Sequence, residues 1–152
     1  MVRLSWFQIP VLDIERAARF YSALFQIEVI VQDKRKNHGG QIGLLVDTNG
    51  VLGTLTQSDP TVFKPSQQEG CFLYLNADDE DLQQVLARAV AAGGQVLLPA
   101  TQIEPTGRRG YLAWILDSEG NRIGLHSLHS SDVAIFPGGE YTIQAEGEGE
   151  KW

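Results

Sequence analysis

The side chains in this sequence that could do chemistry are few. His126 lies two residues beyond Gly124, so on a strand the two look to the same side. An imidazole there can act as an acid or base or orient a ligand, or it can simply bond to backbone at a strand end. Cys71 is the single cysteine, either a reactive thiol or a small core residue. Trp6, Tyr111 and Trp114 can line an aromatic pocket for a planar ligand or pack in the core. Arg108 and Arg109 precede the last apolar run, where they can clamp an anion or solvate a loop. Asp13 and Asp78 are most simply helix caps, and Asp117 a turn residue. Nucleophile elbow, phosphate-cradling glycine motif and zinc spacing are all missing, since Gly39-Gly40 and Gly138-Gly139 lack the required partners.

These residues need elements to hold them. Gly110 to Ser127 reads as two apolar strands joined by the turn Asp117 to Asn121, with Gly120 supplying a positive φ. A weaker copy lies upstream, where Ile42 to Val46 leads into Asp47-Thr48-Asn49-Gly50 and on to Leu55. The two turns align at an offset of 70 (117 − 47). Before each hairpin the same order recurs. Ser5 to Leu12 is a first strand, and Asp13 caps a helix with apolar Ala17, Phe20, Tyr21, Leu24 and Phe25. Glu28 to Gln32 is a second strand, followed by a solvated loop. In the second copy Cys71 to Leu75 is a strand, Asp78 caps a helix with the stripe Leu82, Val85, Leu86, Ala89 and Val90, and Gln95 to Leu98 is a strand. Each copy is β-α-β-β-β. Residues 4–57 form the first, 58–70 a Pro- and Gln-bearing linker, and 71–128 the second, giving one domain over 1–130. The remaining 131–152 has no copy in the repeat and reads as an acidic, Gly-rich tail, with room for a short strand at Tyr141 to Ile143.

Composition limits the function. At 152 residues and 43% hydrophobic, the chain can bury a core. No leader or spanning run is visible, and one cysteine excludes an intrachain disulfide, so a cytoplasmic protein is expected. The net charge of −7 argues against nucleic acid and anionic membranes as partners and leaves small molecules.

Ile9-Pro10-Val11-x-Asp13-x-Glu15-Arg16-Ala17-x-x-Phe20-Tyr21, followed by a second copy ending Leu116-Asp117-x-x-Gly120-Asn121-x-Ile123, resembles the vicinal oxygen chelate superfamily of glyoxalases, extradiol dioxygenases and bleomycin-resistance proteins. The resemblance implies an α+β fold in which two tandem β-α-β-β-β modules form curled mixed sheets around a cavity, completed within a chain or across a homodimer. It also implies metal ligands, usually His, Glu or Gln, early in the first strand and in the last strand of each module. Counting from the caps and turns puts these at Trp6, Cys71, Gly53 and Gly124, none of them a His or a carboxylate. No metal or other cofactor is therefore expected. The expected activity is binding of a small organic molecule, with Trp6, Gly53, Cys71, Tyr111, Trp114, Gly124 and His126 about the site and the two glycines leaving space. The alternatives are a glyoxalase-like lyase or dioxygenase-related enzyme recruiting His126 with Glu69 or Glu104, and a bleomycin-resistance type binder of cationic drugs.

Overall fold

The computed structural model describes residues 2–34, 40–77 and 80–131. In order, β1 (Phe7–Pro10), α1 (Ile14–Phe25), β2 (Glu28–Lys34), β3 (Gly40–Asp47) and β4 (Gly50–Gln57) form the first module. The second comprises β5 (Tyr74–Asn76), α2 (Leu82–Ala91), β6 (Gln95–Gln102), β7 (Tyr111–Leu116) and β8 (Arg122–Ser127). The sheets run β1-β4-β3-β2 and β5-β8-β7-β6, each mixed because its first strand pairs in parallel with its last. The duplicated β-α-β-β-β reading is therefore the observed fold.

The helices form where the sequence supplies a cap and an apolar stripe. Asp13 accepts a bond from the Arg16 N–H at 3.0 Å, and α1 buries Ile14, Ala17, Ala18, Phe20, Tyr21 and Leu24. The second helix begins a turn later than the repeat suggests. Its N-cap is Asp81, which accepts from the Gln83 N–H at 3.0 Å and also from the Ser131 N–H at 2.8 Å. Asp78 lies outside the described residues, as do 132–152 with the segment Tyr141 to Ile143. Buried side chains of both helices and both sheets form one core, in which Leu55, Leu82, Leu86, Ile115 and Leu125 are fully enclosed. Burying one such side chain contributes about 1.5–3 kcal/mol.

The second module's turn is fastened to the first module's β1–α1 joint. Buried Glu119 accepts bonds from the backbone N–H of Leu12 (3.0 Å) and Asp13 (2.8 Å) and from Arg16 Nε (2.7 Å) and Nη2 (3.0 Å). Asn121 Nδ2 donates to the Pro10 carbonyl at 2.7 Å, and the fully buried Tyr21 hydroxyl donates to Asp117 at 2.7 Å. Burial pushes the Glu119 pKa up, but the bonds from Arg16, the two backbone N–H groups and Ser118 outweigh it, so this carboxyl titrates below the ordinary glutamate value. At Asp117 burial wins over the bonds from Tyr21 and Asn121, and its pKa is raised.

Candidate functional site

Among the described residues, no hydrogen bond fastens the first module's turn to the second module in this way. A cleft of about 690 Å³ lies at the corresponding place in the pseudo-repeat, between this turn and β5 with the approach to α2. Apolar side chains of Leu4, Phe7, Phe25, Ile27, Leu45, Leu52, Leu73 and Leu75 line its walls. Asp47, Asn49, Asn76 and Glu80 give it a polar rim. The physical reason is local. Asn49 stands where the second turn has Glu119, Val51 where it has Asn121, and none of the buried residues of α2 is a tyrosine to match Tyr21. A site of this size and lining fits a small organic molecule.

Strand register corrects the alignment of the two modules. The Val11 N–H donates to the Thr56 carbonyl and the Ala77 N–H to the His126 carbonyl, so the last strands correspond at an offset of 70 (126 − 56) and the first strands at 66 (77 − 11). Phe72, not Cys71, is then the counterpart of Trp6. Thr54, not Gly53, is the counterpart of Gly124. A one-residue slip reverses the face; the offset of 70 between the turns holds through the last strands, so the bulge that skips Leu52 between the pairs Val46–Val51 and Leu45–Gly53 does not move it. The four positions at which the resemblance implies ligands are, in this register, Trp6, Thr54, Phe72 and Gly124. They present two rings, one hydroxyl and a hydrogen, a donor set that does not fit a divalent ion. Among the described residues, no three His, Cys, Asp or Glu side chains come together elsewhere.

The two glycines do not leave space; aromatic rings fill it. A β-carbon on Gly53 would come within 2.5 Å of the Phe7 ring, and one on Gly124 within 2.5 Å of the Tyr74 ring. Gly53 pairs with Phe7 and Gly124 with Tyr74 across parallel strands, and both rings line the cleft. The glycines therefore seat the walls of the cleft rather than forming its floor.

The other expected residues divide by strand parity. Trp114, Gly124 and His126 share the outer face of the second sheet, and the Trp114 indole donates to the Tyr74 hydroxyl at 2.8 Å. Tyr111 lies on the opposite face, packed against the core, so Tyr111 and Trp114 do not line one pocket. Cys71 is exposed and precedes β5, not buried in a strand, and Trp6, 63% exposed, precedes β1. His126 Nε2 lies 2.8 Å from the Arg109 carbonyl, a contact that requires this nitrogen to carry the proton. Glu104 folds onto its own loop, accepting from the Thr106 hydroxyl and N–H and from the Arg109 N–H, and these bonds hold its pKa low. Phe7 and Tyr74, the rings that wall the cleft, went unnoticed in the sequence. The signal available was the glycine opposite each in register.

With this geometry in hand, comparison with known proteins places the chain. Residues 3–125 match the Glyoxalase/Bleomycin resistance protein/Dioxygenase superfamily, and the protein belongs to that family. A search of curated proteins finds no match. Among solved structures, a hypothetical protein from S. aureus is 20% identical with a TM-score of 0.60, covering 84% of this chain and 94% of its own. The fosfomycin resistance protein FosX from Mesorhizobium loti is 18% identical with a TM-score of 0.59, over 83% and 92%. A glyoxalase/bleomycin resistance protein/dioxygenase family enzyme from Burkholderia phytofirmans is 19% identical with a TM-score of 0.57, over 82% and 97%. At these identities the likeness is one of fold. No helix of the described residues is long and apolar enough to cross a membrane.

Proposed function

We propose that this protein binds a small, uncharged organic molecule in the cleft between its modules, with the rings of Phe7 and Tyr74 as walls. The observation that carries this reading is a cleft of about 690 Å³ in which apolar side chains stand beside a nearly equal polar surface. That volume falls within the range of small-molecule sites, and apolar walls with polar groups at the rim give affinity and orientation respectively. A structure of FosX from Listeria monocytogenes was determined with Mn(II), but no metal-dependent step is carried over, since the donor positions hold Trp6, Thr54, Phe72 and Gly124. We further propose that the protein works as a cytoplasmic homodimer whose second copy covers the mouth of the cleft, because Leu4 in the lining and the adjacent Val2 and Trp6 are exposed.

The test is titration of the purified protein with a neutral apolar fluorophore. Saturable binding is expected, and Leu52→Glu, which puts a charge into the cleft at a position 40% exposed, should weaken it at least tenfold without lowering the melting midpoint. Equal binding by wild type and Leu52→Glu would place the probe elsewhere and defeat the reading. Light scattering that gives a monomer mass would remove the dimer.

A further inference from the structure

The outer face of β8, which meets the cleft at the Tyr74 ring, carries a cation with no counter-ion among the described residues. Arg122 sits at the start of that strand on the face of Gly124 and His126. Its guanidinium carbon lies 4.6 Å from the centroid of the Phe72 ring and 5.8 Å from that of Trp114. Those rings are themselves held. Phe72 meets Trp114 edge to face at 5.3 Å and Tyr74 at 4.9 Å, and the Trp114–Tyr74 hydrogen bond closes the cluster. The guanidinium plane is thus pre-positioned.

Its hydrogen bonding is incomplete. Arg122 Nε is buried with no acceptor, and among the described residues no carboxylate forms an ion pair with this side chain, in a chain whose net charge is −7. A buried charged N–H without an acceptor is costly to a fold. Nε is enclosed and out of a ligand's reach, so an external carboxylate would pair with the two terminal Nη groups, whose parallel N–H bonds match its two oxygens. There is room nearby. The backbone N–H of Arg122 donates to the Ser66 carbonyl at 3.3 Å, tying β8 to the loop of residues 64–69, whose own residues line an open surface hollow of about 340 Å³. Lys64 on that hollow is a second cation without an ion pair among the described residues. Glu69 on the same hollow disfavours polyanions.

We propose that Arg122 anchors a second, anion-selective site that takes a small aromatic monocarboxylate, its carboxylate on the guanidinium fork and its ring against the Phe72–Trp114 cluster. The site adjoins the cleft through Tyr74 but takes its ligand on other residues, and its charge preference is opposite to that of a binder of cationic drugs.

Calorimetric titration of the full chain with benzoate, benzyl alcohol and benzylamine tests it. Benzoate should saturate at one equivalent, benzyl alcohol should bind at least tenfold more weakly, benzylamine should not bind, and added salt should weaken benzoate. Arg122→Gln should lose tenfold or more of the benzoate affinity, and Arg122→Lys, which keeps the charge without the fork, should fall between. Phe72→Leu keeps the charge but removes the stacked ring, and should weaken benzoate even if Arg122→Gln fails to fold. Leu52→Glu should leave benzoate binding unchanged, which separates this site from the cleft. No saturable benzoate binding, equal affinity for benzoate and benzyl alcohol, or unchanged affinity in Phe72→Leu and the folded Arg122 variants would overturn the proposal.

Discussion

The Tyr74 ring stands where a β-carbon on Gly124 would have to go, the nearest ring carbon only 2.5 Å from that position. The two residues pair across parallel strands, so the ring lies over the glycine and its hydroxyl meets the Trp114 indole. Phe7 has the same relation to Gly53 on the other sheet. Two wall residues of the cleft are therefore positioned by what their neighbours lack.

Gly124→Ala should displace the Tyr74 ring and break its bond to Trp114. The expected cost is about 1–3 kcal/mol, typical of adding a methyl group to a filled site, with a shift in tryptophan emission. Thermal unfolding and the emission spectrum check it. An unchanged midpoint and spectrum would mean that the ring has no fixed seat.

Glu119 fastens one module to the other, and its loss should be felt in the whole fold. Glu119→Gln removes the charge that four N–H donors share, at an expected cost of about 1–3 kcal/mol at neutral pH. The pH dependence has a definite sign. Because Glu119 titrates below its ordinary value of 4.5 in the fold, its stabilisation is complete above that pH and is lost as pH falls through the folded value. The gap in melting midpoint between wild type and Glu119→Gln should be constant near neutrality and close as the solution is made acid. A gap that grows on acidification would contradict the assignment.

Tyr21→Phe takes away the hydroxyl that donates to buried Asp117. The Asp117 pKa, already raised by burial, should rise further, since the lost bond favoured the ionised form. A group with a raised carboxyl pKa favours the fold most below its unfolded value of 3.8, and that advantage is lost as pH rises through the folded value. The penalty of Tyr21→Phe, about 1–3 kcal/mol when Asp117 is charged, should therefore widen from acid toward neutral pH. Melting curves across that range would show it, and a penalty independent of pH would point to lost packing alone.

Much of the fold was legible because its local signals repeat. Asp13 before an apolar stripe, and Asp with Gly at the paired turns, give β-α-β-β-β twice with little ambiguity. Register was harder to read. Strand faces alternate with a period of two, so matching Gly53, three residues past Gly50, with Gly124, four past Gly120, put residues of opposite faces together. The second cap was misplaced because Asp78, Asp79, Glu80 and Asp81 offer several acids in a row; Asp81 caps α2 and also accepts from the Ser131 N–H. Tyr111 and Trp114 were grouped by chemistry, although three residues on a strand put them on opposite faces. The cleft itself depends on an absence, the missing counterparts of Glu119, Asn121 and Tyr21, and the repeat alone gives no reason to look for one.

The cleft is tested most directly by mapping amide shift changes in the isotopically labelled protein as a neutral apolar probe is added. Saturable changes should gather at Phe7, Leu45, Leu52, Leu73, Tyr74 and Leu75, with little at Leu98, Thr101 and Gln102 on β6. Changes that scatter over the surface without saturating, or that gather away from β1 and β5, would contradict a ligand site between the modules.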